Sequence, residues 1–167
     1  MSQRVVSTVV VGLLAAVSVV FTAYVVIVPI WVVFIAWACF FAAGGGGQGA
    51  RSTLVMGAAG IISATLTLIA GAALGGSVWA VAACCIVGAG ALVAIGHFPL
   101  LSFTPAGFLG FASTAGTIAA TQSSITDPVA FTHPSVLVGV AFVVGVAFGL
   151  TSEYLPAKLT PARSISA

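Results

Sequence analysis

Charge is what this sequence lacks. Of its 167 residues only 4% are acidic or basic and 61% are hydrophobic, whereas a soluble domain carries roughly 25% charged residues. The charged side chains are Arg4, Arg51, Asp127, Glu153, Lys158 and Arg163, and from Ser52 through Thr126 no acidic or basic side chain occurs except His97. An ionised group at the middle of a bilayer costs about 2.5–3.5 kcal/mol or more, so lipid selects such a stretch and water does not. Each absence excludes a class of function. Without a carboxylate inside the membrane there is no basis for a proton-coupled pump. Without a charged ring or a carbonyl filter there is none for an ion channel. No nucleophile–base pair or metal cluster is visible, which argues against an enzyme, and the net charge of +2 is too small for a nucleic-acid partner. Cys39, Cys84 and Cys85 lie in apolar runs without zinc-site spacing and read as small buried hydrophobes. No cofactor or metal is called for.

What is present is a set of apolar runs broken by proline and glycine. A helix needs about 20 residues to cross a hydrocarbon core of about 30 Å. The run Val5–Phe41 is too long for one span and barely enough for two, and Pro29 divides it. The expected helices are therefore Val5–Val28, a short Ile30–Ala43, Ser52–Leu74, Val78–Ile95, a second short one at Pro105–Ala120, and Pro134–Ser152. Gly44–Gly47 with Gln48 and Gly49 reads as a loop closed by Arg51, and Gly75-Gly76-Ser77 as a turn. No small-residue cleavage site interrupts the first run, which reads as an uncleaved helix rather than a signal peptide. The expectation is an all-α membrane protein of about six transmembrane helices, residues 1–153 forming one domain and 154–167 a short polar cytoplasmic tail. With six crossings and a cytoplasmic N-terminus, Arg4, Arg51, Lys158 and Arg163 share the cytoplasmic side, as the positive-inside rule requires. Trp31, Trp79 and Tyr24 then suit the outer aromatic belt and Tyr154 the inner one.

The two short helices are alike. Setting Phe34 on Phe108 also sets Ile35 on Leu109, Ala36 on Gly110, Trp37 on Phe111, Ala38 on Ala112 and Cys39 on Ser113. This predicts two three-helix repeats, about 5–74 and 78–152. Three is odd, so the second enters the membrane inverted, an arrangement characteristic of transporters and some channels. Small residues recur every four positions at Gly71/Gly75, Ala112/Gly116/Ala120 and Ala141/Gly145/Gly149, faces on which helices approach closely or subunits meet. The unit is small enough that a homo-oligomer is expected.

Within this frame the short helices carry the candidate path. Phe34, Trp37, Phe108 and Phe111 are placed as an aromatic constriction, Gly110 beside it, with Ser113 and Thr117 offering hydrogen bonds to a dehydrated solute. The alternatives are a packed core for the aromatics and bonds from Ser113, Thr114 and Thr117 back to their own helix. His97, at the end of the fourth helix, is the gating candidate, and a plain interfacial histidine is the alternative; His133 opens the last helix beside Pro134.

The segments Trp31-x-x-Phe34, Phe41-Ala42 and Ser102-Phe103-x-Pro105-x-x-Phe108-x-Gly110-x-Ala112-x-Thr114 resemble the YcdZ-like family of small bacterial inner-membrane proteins, over roughly Trp31 to Phe148. The resemblance implies a bacterial inner-membrane location and brings no site or substrate; the four glycines at Gly44–Gly47 depart from its pattern. The expected function is a passive channel or facilitator for a small uncharged or weakly polar solute of the urea, amide or weak-acid class. The alternative is a non-transporting membrane scaffold or regulatory subunit.

Overall fold

The structure is a computed structural model that describes residues 3–159; the expected polar tail from Thr160 onward lies outside the described residues. Six α-helices follow one another: α1 Gln3–Tyr24, α2 Ile30–Ala42, α3 Gly46–Ala73, α4 Val78–Ile95, α5 Thr104–Thr121 and α6 Pro134–Leu159. No strand occurs among the described residues. Helices α1, α3, α4 and α6 are long and apolar enough to cross a membrane, and α2 is a shorter apolar helix. Their outward faces are hydrophobic: Leu13, Val17 and Val20 on α1, Ile62 and Leu66 on α3, Ile86 and Val87 on α4 are all more than half exposed. Contiguous apolar surface of this extent marks a lipid-facing boundary rather than a water-facing one. These helices are those of a membrane protein.

Four expected boundaries shift. Helix α1 ends at Tyr24 rather than Val28: Val25 and Val26 close a turn on the Phe21 carbonyl, and Ile27–Pro29 leads without regular structure into the start of α2 after an extended Pro29. Helix α3 begins at Gly46, inside the glycine run, so Arg51 stands in its second turn and not in a loop. The run is needed nonetheless: Gly44, Gly45 and Gly46 all take positive φ, where a side chain would be strained. Helix α5 has 18 residues against 13 for α2, so only α2 is markedly short, reaching about 20 Å. Helix α6 continues past Ser152 to Leu159, carrying Pro156 within it.

Helices α2, α3, α5 and α6 form the interior, α1 packs against α6, and α4 packs against α3. The interior contacts are made on glycine. Gly57 and Gly60 of α3 meet Gly107 and Gly110 of α5, and a methyl group built on Gly60 would run into the Gly107 carbonyl. Gly145 of α6 lies in the same way against the Val33 carbonyl of α2, and Gly149 against the Phe40 ring. Between lipid-soluble surfaces there is no hydrophobic force to join helices, so close backbone approach and dispersion supply the association. Around these crossings pack Val32, Val33, Ala36, Ile61, Val138, Ala141 and Phe142 on one side, and Cys39, Met56, Leu92 and Ala106 on the other.

The expected small-residue faces divide. Ala141, Gly145 and Gly149 are buried in the α2–α6 contact, whereas Ala112, Gly116 and Ala120 are exposed on the outside of α5. The inner face of α5 is a different one, containing Ala106, Gly107 and Gly110. Gly60→Ala is expected to cost about 1–3 kcal/mol through overpacking, while Gly116→Ala, where nothing lies within 4 Å of the new methyl, leaves stability unchanged or raised. Thermal denaturation of the two variants in detergent reads the difference.

Candidate functional site

Trp37 is the best-anchored side chain in the bundle. It is 4% exposed, and its Nε1–H donates to Ser152 Oγ of α6 at 3.1 Å. The Ser152 hydroxyl in turn donates to the Gly149 carbonyl at 2.6 Å. Apolar surroundings make an unpaired indole N–H costly, and Ser152 removes that cost. Around the indole stand Phe148 at 5.8 Å and Phe34 at 6.2 Å between centroids, and Phe21 of α1 meets Phe148 edge-on at 6.1 Å. Phe34 stacks on Trp37 from the outside and is 40% exposed.

The second aromatic pair is placed differently. Phe108 points away from the interior and is 44% exposed. Phe111 is half-buried and reaches toward α4, where it stands beside Gly88. Gly110 lies on the Gly57 carbonyl. Of the four expected constriction residues, Phe34 and Trp37 come together on α2, while Phe108 and Phe111 turn to other surfaces of α5.

The hydroxyls sort into two groups. Thr8, Thr22, Thr65, Thr114, Thr121 and Thr151 each donate to the carbonyl four residues earlier, the ordinary use of threonine in an apolar helix. Thr53 of α3 and Ser113 and Thr117 of α5 do not. Their hydroxyl oxygens are fully shut in and have no protein partner. Ser113 and Thr117 are four residues apart, hence on one face of α5. A buried hydroxyl left unpaired costs about 1–3 kcal/mol, and alanine or valine would remove it.

The two ends of the bundle hold the remaining polar groups. At one end, the Glu153 carboxylate accepts from Gly46 N–H at 2.8 Å and stands against Gly45, a negative charge at the positive end of the α3 dipole. Beside it a cleft of about 560 Å³ is lined by Gly47, Gln48, Arg51, Ser52, Pro99 and Leu100. His97 follows the end of α4 there and is exposed. At the other end His133 is 5% exposed; its Nδ1 accepts from Ser135 N–H and its Nε2 faces the Ile125 carbonyl, pinning the α5–α6 connection. Neither this role nor the Glu153 cap is visible as spacing in the sequence, since both join residues brought together by the fold. No group of three potential metal ligands occurs among the described residues.

Two grooves open on the sides of the bundle. One of about 360 Å³ lies between α3 and α4, lined by Ser63, Leu66, Thr67, Ala70, Cys84, Val87, Gly88 and Ala91. A smaller one of about 250 Å³ lies between α1 and α6, with Phe21, Phe148 and Thr151 in its wall. The Trp37–Ser152 bond is expected to show a coupling of about 0.5–2 kcal/mol in a double-mutant cycle of Trp37→Phe and Ser152→Ala, measured by reversible unfolding in mixed micelles.

No curated protein and no solved structure matches the chain. A family does: residues 8–157 match it, a span that takes in all six helices but for the first residues of α1 and the last of α6, and the chain belongs to the family described as "Protein of unknown function (DUF1097)".

Proposed function

We propose that this protein is a passive facilitator for a small uncharged or weakly polar solute of the urea, amide or neutral weak-acid class. The observation that carries the reading is the set of hydroxyls at Thr53, Ser113 and Thr117, shut inside an apolar bundle without partners. A neutral solute that leaves its water behind needs hydrogen-bonding groups on the way, and these are groups with unused capacity. The described interior holds no carboxylate, which fits a neutral solute better than a proton-coupled one.

The reading includes an inverted repeat, and the contacts support it. The shift that carries Phe34 onto Phe108 carries Val33 onto Gly107 and Trp37 onto Phe111. In the long helices, the shift that carries Gly57 onto Phe142 carries Gly60 onto Gly145 and Thr67 onto Ser152. With these pairings, Gly60 against the Gly107 carbonyl answers Gly145 against the Val33 carbonyl. The packing of α4 on α3 answers that of α1 on α6. Gly57 faces Phe142, its own counterpart, which is where a pseudo-two-fold axis would pass. One shift for all the helices, as the short pair suggests, does not give these pairings: the second is 11 residues larger, 9 of them from the longer connection at 122–133 against 43–45 and the rest from unequal helix ends.

The reading further has six crossings, both termini cytoplasmic, a bacterial inner membrane as for the YcdZ-like proteins, and a homo-oligomer. A lipid bilayer and the solute itself are then the other partners. A second reading, a non-transporting scaffold or regulatory subunit, is favoured by the dense packing of Val32, Val33, Ala36, Phe40 and Met56, each with no exposed surface.

Stopped-flow light scattering on proteoliposomes, with water, urea, glycerol and short-chain acids, separates the two. Facilitation predicts a solute-specific acceleration over empty vesicles that Thr117→Val and Ser113→Ala reduce several-fold with the helix content intact. No acceleration from folded protein across the panel sinks it. If the same substitutions stabilise the fold and leave flux unchanged, the hydroxyls are idle and the path lies elsewhere. Bulky residues at Gly110 are a poor probe, because any side chain there meets the Gly57 backbone.

A further inference from the structure

The groove between α3 and α4 contains a hydroxyl that the rest of the protein leaves unmatched. Thr67 is 5% exposed and lines the groove, yet it is not one of the threonines that donate to their own helix. Its neighbour Ser63 is engaged, donating to the Gly88 carbonyl at 2.9 Å. Thr67 Oγ1, Ser63 Oγ and the Phe111 ring all converge on Gly88, where even a methyl group would strike the Thr67 hydroxyl. Glycine at that position leaves room for the hydroxyl at the wall of the groove.

The other half of the bundle shows what is missing. Under the pairing proposed above, Thr67 stands where Ser152 stands and Phe111 stands where Trp37 stands. Ser152 is satisfied by the Trp37 indole N–H at 3.1 Å. Phenylalanine has no such donor, so the counterpart hydroxyl has no indole partner; Thr67 lines the α3–α4 groove of about 360 Å³, whereas Ser152 is not in the wall of the α1–α6 groove of about 250 Å³. This comparison rests on the repeat; the open hydroxyl and the groove do not.

We propose that the α3–α4 groove is a binding site for a neutral amphiphile: an apolar tail with one hydrogen-bonding head, taken from the lipid phase. The volume falls in the range of small-molecule sites, which are mostly apolar with a few placed polar groups. Leu66, Ala70, Val87 and Ala91 receive the tail and Thr67 the head. The walls hold no carboxylate, amine or guanidinium, so a charged head finds no counter-ion at this depth and is excluded. A plain acyl chain fills the groove but leaves the hydroxyl unpaired. The site opens sideways, so occupancy is independent of whether any solute crosses the bundle.

The test is photolabelling of the full-length protein in lipid vesicles with a diazirine-bearing octanol, mapped by mass spectrometry. Labelling is expected to concentrate on 66–70 and 84–91, and to be competed by octanol but not by octane. Thr67→Val keeps the side-chain shape and removes the hydroxyl, and it should lower labelling there about three- to ten-fold, the equivalent of one hydrogen bond. Ala91→Leu, which fills the groove from an exposed position, should abolish it. Labelling spread evenly over all lipid-facing helices, equal competition by octane, or undiminished labelling of Thr67→Val would each overturn the proposal and leave the groove to lipid tails alone. Because flux is not measured, failure of the facilitator reading leaves these outcomes untouched.

Discussion

Backbone contact across glycine is the constraint from which the rest of this bundle follows. Gly60 on the Gly107 carbonyl and Gly145 on the Val33 carbonyl bring helix axes closer than any side chain would permit. In water such contacts would be secondary to the burial of apolar side chains. In lipid the apolar side chains are already solvated, and what remains is the density of atoms in contact and the few polar pairings that survive between helices. The long helices α3 and α6 supply most of these surfaces, and the short α2 can exist as a helix of 13 residues because α6 and α3 cover it. Its interior side chains Val32, Val33, Ala36 and Phe40 have no exposed surface.

Against that background each polar group is informative. Six threonines turn their hydroxyl back to the helix and become, to a neighbour, little different from valine. Trp37 and Ser152 make a polar pairing between helices, and Thr65 with Ser135 another at 2.7 Å. Glu153 neutralises part of a helix end. Thr53, Ser113 and Thr117 are buried without a partner, and Thr67 makes no bond back to its own helix. That contrast, rather than any single distance, directs attention to the middle of α5 and to the α3–α4 groove.

The membrane class, the helix count and the division at Pro29 are legible in the sequence because they depend on composition and on local backbone chemistry. The extents of α1 and α6 are less so: Val25–Val28 is as hydrophobic as the helix before it, and nothing in its composition marks the turn at Val25 and Val26 that ends α1. The glycine pairs of α3 and α5 escape a search at intervals of four, since Gly57/Gly60 and Gly107/Gly110 are three apart. Their signal is present, but only the crossing of the two helices makes that spacing meaningful. The aromatic residues show the converse limit. Phe34 and Phe108 share a local pattern, and the pattern reports resemblance between segments rather than a common lining; both rings face outward. Ser113 and Thr117 were distinguishable as polar residues on one face, while their lack of partners depends on every helix around them.

Helix α2, near the start of the chain, lies against α6, the last helix, and α3 lies against α5. The first three helices are therefore synthesised before their main partners, and the carboxylate that stands at the start of α3 arrives only with Glu153. Neither half is a self-sufficient folding unit: each presents glycine-lined surfaces made for the other. A chain severed in the α3–α4 turn would yield two pieces with complementary faces, because the contacts of α2 with α6 and of α3 with α5 all cross that turn.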